Sequence, residues 1–68
     1  MEPLTKQQRK VFDFLLEFSA KHKYMPSMAE IGKKFKTSIP TAWEHLTKLE
    51  QKGAIERRPN QKRWIRIL

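Results

Sequence analysis

The sequence predicts a mainly α domain that closes with a small antiparallel β-hairpin, three helices followed by two short strands. Three observations carry this. Two capping boxes, Thr5-x-x-Gln8 and Ser27-x-x-Glu30, each open an apolar pattern of helical period. A third such pattern follows Ser38 and stops at Gly53. Beyond Gly53 the period changes to two, on either side of a turn-rich basic loop.

The first helix is expected over about residues 5–22. Thr5 caps it, Gln8 reaches back to the cap, and Leu4 stands where a hydrophobic staple would. Val11, Phe12, Leu15, Leu16 and Phe18 form a wide apolar stripe, which Phe14 broadens. The helix should fray near residues 21–23, because Tyr24-Met25-Pro26 cannot continue it. The second helix, about residues 28–35, starts after Ser27 and buries Met28, Ile31 and Phe35. Gly32 would permit a close approach to its neighbour, while Lys33, Lys34 and Lys36 point outward and complement the helix dipole.

The third helix, about residues 39–52, has Ser38 as cap, Pro40 in the first turn and Gly53 after its end. Ile39, Ala42, Leu46 and Leu49 make its apolar side; Thr41, Glu44, Thr47, Lys48 and Gln51 lie opposite. Two helices joined by three or four residues form a helix-turn-helix, whose second helix enters the major groove of DNA. The turn wants a left-handed residue, and Lys36 or Thr37 sits there instead of glycine. Strands over about 54–57 and 63–67 then flank Arg58-Pro59-Asn60-Gln61-Lys62, giving a winged helix-turn-helix in one domain of residues 1–68.

Composition narrows the function classes. A chain of 68 residues buries only about 60% of its unfolded surface, so its core is small. It has no cysteine, which excludes a disulfide scaffold or a thiolate metal site. Its net charge is +8, and residues 54–68 hold half of that excess. Nucleic acid is the commonest partner of so basic a small domain, with an anionic membrane as the other candidate. No apolar run approaches the ~18 residues that span a bilayer, and the N-terminus lacks a signal-peptide pattern. A cytoplasmic protein at a prokaryotic or phage nucleoid is therefore expected. His22 and His45 stand on different helices, so no metal site is read. There is no nucleophile elbow or phosphate-binding glycine loop, hence no enzyme, no cofactor and no small-molecule ligand.

In this order and spacing, Leu4-Thr5-x-x-Gln8, Val11-Phe12, Pro26-Ser27-x-Ala29-Glu30-Ile31, Ser38, Thr41, His45-Leu46-x-x-Leu49, Lys52-Gly53-x-Ile55 and Ile65-Arg66-Ile67-Leu68 resemble the DNA-binding domain of LexA-type repressors. The resemblance covers nearly the whole chain. It implies a winged helix that binds double-stranded operator DNA and represses SOS-type genes. It also implies base reading from the start of the third helix, at Ser38, Pro40, Thr41, Trp43 and Glu44. Three departures stand out. The second domain of that family, a self-cleaving serine–lysine peptidase that also dimerises the repressor, has no counterpart here. Lys36 replaces the usual turn glycine, and Pro40 and Trp43 stand where smaller or more polar readers are common, so the family's operator does not carry over.

The residues leave several roles open. Trp43 either packs on the second helix or the hairpin, or meets a thymine methyl or sugar edge. Glu44 either accepts from cytosine N4 or pairs with Lys48. Backbone or minor-groove contact is expected from Ser27, Thr37, Lys48, Lys52, Arg57, Arg58, Lys62 and Arg63. Trp64 should face outward, shielding the wing or stacking on sugar. A single copy should bind weakly, which suggests a homodimer on a palindromic operator. Two alternatives remain: a winged-helix module that binds protein, and an RNA binder that stacks bases on Trp43 and Trp64.

Overall fold

A computed structural model describes residues 3–58 and 64–68. The elements run α1 (Lys6–His22), α2 (Met28–Lys34), α3 (Ile39–Gln51), β1 (Ile55–Arg57) and β2 (Ile65–Ile67). The strands pair antiparallel, with Ile55 opposite Ile67 and Arg57 opposite Ile65. Three helices and a two-stranded sheet in this order make a winged helix-turn-helix.

Each helix start is set by its local sequence. The Thr5 hydroxyl accepts from the Gln8 N–H at 3.2 Å, and the Gln8 amide oxygen accepts from the Thr5 N–H at 3.1 Å. Ser27 and Glu30 repeat this at 3.1 and 3.3 Å. The Ser38 hydroxyl caps α3 through the Thr41 N–H at 3.3 Å, with Pro40 in the first turn, where its missing N–H leaves no bond unmade.

The ends of α2 and α3 close in the same way. After α3, Gly53 N–H donates to Glu50 O and Ala54 N–H to Leu49 O, both at 3.0 Å, with Gly53 at φ 78°. This Schellman closure consumes the Ala54 N–H, so β1 begins one residue later than the sequence suggests. After α2, Lys36 N–H donates to Lys33 O at 3.3 Å and Thr37 N–H to Gly32 O at 2.9 Å. Lys36 takes the left-handed place, at φ 52°. The turn closes regularly, with a lysine in the conformation that usually takes glycine. Gly32 has a different constraint from the helix contact expected of it. A Cβ there would come within 2.9 Å of the Thr37 carbonyl oxygen, so the missing side chain lets the turn fold back onto α2.

Lys36→Gly is expected to stabilise the domain. Relief of the left-handed strain, about 1–2 kcal/mol, outweighs the up to ~1 kcal/mol lost to a freer unfolded chain. A thermal melt should rise by roughly 3–6 °C. A lower midpoint would mean that the Lys36 side chain contributes more than its backbone costs.

The core is Val11, Phe12 and Leu15 of α1, Ile31 of α2, Ala42, Leu46 and Leu49 of α3, and Ala54, Ile55 and Ile65 of the hairpin. Helix α3 packs against α1, α2 and β1, so it is the element the others surround. Leu4, Met28 and Phe35 close the margins. The α1 stripe is wider than this core needs. Phe14, which also borders the core, and Phe18 join Phe35 and Tyr24 in an aromatic cluster of edge-to-face pairs at 5.5–5.7 Å, and His22 lies tilted against Phe18 and Tyr24. Leu16 remains 39% exposed.

Candidate nucleic-acid interface

The outer side of α3 carries Ser38, Ile39, Pro40, Trp43, Glu44, Lys48 and Gln51, all exposed; Thr41 and Thr47 are half-buried. Among the described residues, Glu44 is in no hydrogen bond or ion pair, and both it and Pro40 are exposed. The Ser38 hydroxyl donates to the Thr41 hydroxyl at 3.0 Å while also serving as the cap. That leaves the Thr41 hydroxyl proton free to be donated outward. The Thr47 hydroxyl bonds back to the Trp43 carbonyl at 2.9 Å, within its own helix.

Ile39 departs from the sequence reading. Its spacing assigned it to the apolar side of α3, yet it is 48% exposed. It is the first residue of α3, and the inward-facing stripe starts only at Ala42. An exposed β-branched side chain beside Pro40 adds an apolar surface to the start of α3. The signal was its place directly after the Ser38 cap, where periodicity has no earlier turn to average over.

The tryptophans meet each other. Trp43 and Trp64 stand edge to face at 5.8 Å, and the Arg57 guanidinium lies 5.0 Å from the Trp43 ring centre. Trp43 therefore packs on the hairpin, though it stays 39% exposed. Trp64 does not face outward as alternation suggested. It lies just before β2 rather than within it, so its ring turns toward α3 and the core margin.

Among the described residues, the basic side chains divide into those tied into the fold and those exposed at its surface. Lys52 donates to the Pro3 carbonyl at 2.9 Å and to Gln8 at 2.6 Å, tying the end of α3 to the start of α1. The Arg57 guanidinium donates twice to Glu50 Oε1, at 3.1 and 2.9 Å, and its N–H donates to Glu50 Oε2 at 3.1 Å. Its side chain is only 17% exposed. The Arg57 N–H first, and the guanidinium second, hold the Glu50 carboxyl below the usual carboxylate range. A depressed folded pKa means this contact stabilises the fold above the unfolded value near 4.5, and the contribution is lost as pH falls through the lower folded value. Arg58 is exposed and pairs with Glu56 across the strand end. Lys48, like Lys33, Lys34 and Lys36 at the turn, is exposed. Ser27 and Thr37 flank α2, but Glu30 of the capping box sets a carboxylate beside Ser27. Lys62 and Arg63 lie outside the described residues.

The exposed start of α3, the turn lysines and the adjoining hairpin lie on elements that a winged helix would bring to a duplex. The LexA DNA binding domain family matches residues 1–64. The chain is 45% identical over 67 residues to the LexA repressor of Thermotoga maritima, covering 98% of this chain and 34% of that protein. It is 39% identical over 69 residues to the LexA repressor of Koribacter versatilis, covering 100% and 33%. It is 41% identical over 68 residues to LexA repressor 2 of Pseudomonas putida, covering 98% and 34%. The chain thus spans about a third of the length of the curated relatives it matches. Among the described residues no helix is long and apolar enough to cross a membrane. On helix order, hairpin pairing and sequence alike, this chain belongs to the LexA DNA-binding domain family.

Proposed function

We propose that the chain binds double-stranded operator DNA in a sequence-specific way and acts as the DNA-reading part of a transcriptional repressor. The observation that supports this best is the exposed start of α3, where a capped helix offers Ser38, Ile39, Pro40, Thr41 and Glu44 together. In this reading Thr41 donates to a base edge, Glu44 accepts from cytosine N4, and Ile39 and Pro40 meet thymine methyls or sugars. The remaining open face of Trp43 lies along the groove wall. Lys48, the turn residues Lys36 and Thr37, Ser27 and the wing residues Arg58, Lys62 and Arg63 hold phosphates or the adjacent minor groove. Lys52 and Arg57, engaged within the fold, support the interface from behind. Their own ion pair and hydrogen bonds favour this over the phosphate contact their charge suggested.

Repression then follows from occupancy: a duplex covered at its operator is closed to other proteins. Two copies on a palindromic operator supply the affinity that one small interface lacks. The workplace is the nucleoid, in the cytoplasm.

The test is selection of bound duplexes from a random pool, followed by two variants. Thr41→Ala should change the preferred base at one or two positions with little effect on scrambled duplex. Arg58→Ala should weaken binding to every duplex alike and reduce the salt slope by about one unit. If the pool yields no common sequence, specific reading is refuted. If the chain binds no duplex even at low ionic strength, the domain recognises a protein instead. Preference for single-stranded RNA over duplex would favour the RNA alternative.

A further inference from the structure

We propose that Glu50, Arg57, Trp43 and Trp64 form a strut that fixes the angle between α3 and the wing, making Glu50 and Arg57 positioning residues for DNA selectivity. The proposal rests on the duplex-reading function above and deepens it.

The contacts run in one connected path. Glu50 is near the end of α3, and its two carboxylate oxygens take different parts of one β1 residue. Oε2 accepts the Arg57 N–H at 3.1 Å, which fixes the strand backbone. Oε1 accepts both guanidinium donors, at 3.1 and 2.9 Å, which fixes the side chain. The same guanidinium then lies over Trp43, two turns back along α3. Trp43 in turn stands edge-on to Trp64, at the mouth of β2. Both strands are therefore braced to one helix, β1 through Glu50 and β2 through Trp43.

The geometry explains why so cationic a domain holds this arginine inward. Helix and wing must meet neighbouring grooves of one duplex at once. The hairpin alone has two three-residue strands, too short to hold its own direction. A planar, forked guanidinium can grip a carboxylate through two donors while its face lies on a ring; an ammonium of the same charge has neither the fork nor the flat face, so it holds both partners less firmly.

That difference gives the experiment. The intact 68-residue chain and its Arg57→Lys, Arg57→Gln and Glu50→Gln variants are titrated with the duplex selected from the random pool and with a scrambled duplex. All titrations use a temperature at which each variant keeps the wild-type helical signal. For a strut, Arg57→Lys lowers the ratio of selected to scrambled affinity roughly tenfold, the scale on which coupled side chains interact. Affinity for the scrambled duplex and its salt slope stay as they were. Glu50→Gln lowers the same ratio, and scrambled binding rises slightly because one negative charge is gone. Without DNA, both change tryptophan emission, since Trp43 loses its guanidinium neighbour in Arg57→Lys and that neighbour's anchor in Glu50→Gln. A phosphate-binding Arg57 predicts otherwise: Arg57→Lys leaves the ratio intact, and Arg57→Gln weakens both duplexes alike with a salt slope lower by about one unit. Either of those results overturns the strut. If wild-type protein does not distinguish the duplexes at all, the operator-reading function fails instead. The strut is then judged on emission alone, and unchanged emission in Arg57→Lys overturns it.

Discussion

Leu46→Ala is expected to lower the unfolding free energy by about 2–5 kcal/mol, which removes much of what holds this domain together. A chain of 68 residues at roughly 0.05–0.15 kcal/mol per residue has only about 3–10 kcal/mol to lose. Leu46 is fully buried, at the middle of the helix that packs on α1, α2 and β1. Truncation there leaves a void that several elements would have to collapse into at once. No disulfide compensates, because the chain has no cysteine. The melting midpoint should fall by on the order of 15 °C, given about 4–8 °C per kcal/mol for domains of this size.

The same variant separates folding from recognition. Cooled well below its new midpoint, Leu46→Ala should regain most of its duplex affinity, since Leu46 faces the core and not the exposed side of α3 proposed to read DNA. A midpoint shift under 5 °C would contradict the central place given to α3 in the packing. Full folding without duplex binding would show that the core sets the shape of the reading face directly.

The helices were legible because their determinants are local. The two capping boxes, the Ser38 cap with Pro40, and the Gly53 closure are all settled within a few residues of one another. The left-handed position could be narrowed to Lys36 or Thr37 for the same reason, since turn length dictates it whatever residue is there, and Lys36 takes it. What resisted was everything fixed by distant partners. Lys52 looked like one more cation on a basic helix, but its ammonium meets Pro3 and Gln8, more than forty residues earlier. Arg57 looked like part of a basic wing, but Glu50, on a different element, draws it inward. Charge in a sequence says how much positive potential a surface can have, not which cations the fold has already paired. Trp64 was misjudged by alternation because it stands outside the strand whose period was applied to it. Ile39 was misjudged because one helical turn is too short for a period to separate inside from outside.

Joining two copies in one chain is expected to raise affinity for an inverted-repeat duplex by about 10²–10⁴-fold over the single 68-residue chain. The reason is geometric. One winged module offers a single reading helix and a small wing, a protein surface of roughly 600–1,000 Å². Binding of the first copy puts the second within reach of its own half-site, so the second event loses most of its translational cost. The linker decides whether this works. Half-sites one turn apart are about 34–36 Å between centres, and a glycine–serine chain reaches about 5–6 Å times the square root of its length. A linker of about 40 residues therefore matches the span. It can leave from Leu68, which is 62% exposed. The measurement is titration of three duplexes: the selected inverted repeat, one half-site, and the repeat with five base pairs inserted at its centre. The half-site should gain at most about twofold, since the second copy there only doubles the chance of a productive encounter. The insertion turns one half-site to the opposite face of the duplex and should cancel much of the gain. The salt slope on the inverted repeat should be about twice that of the single chain, because twice as many phosphates are neutralised. Equal gain on all three duplexes would mean that the added copy contributes charge rather than reading. No gain on the inverted repeat would refute paired half-sites as the operator's form.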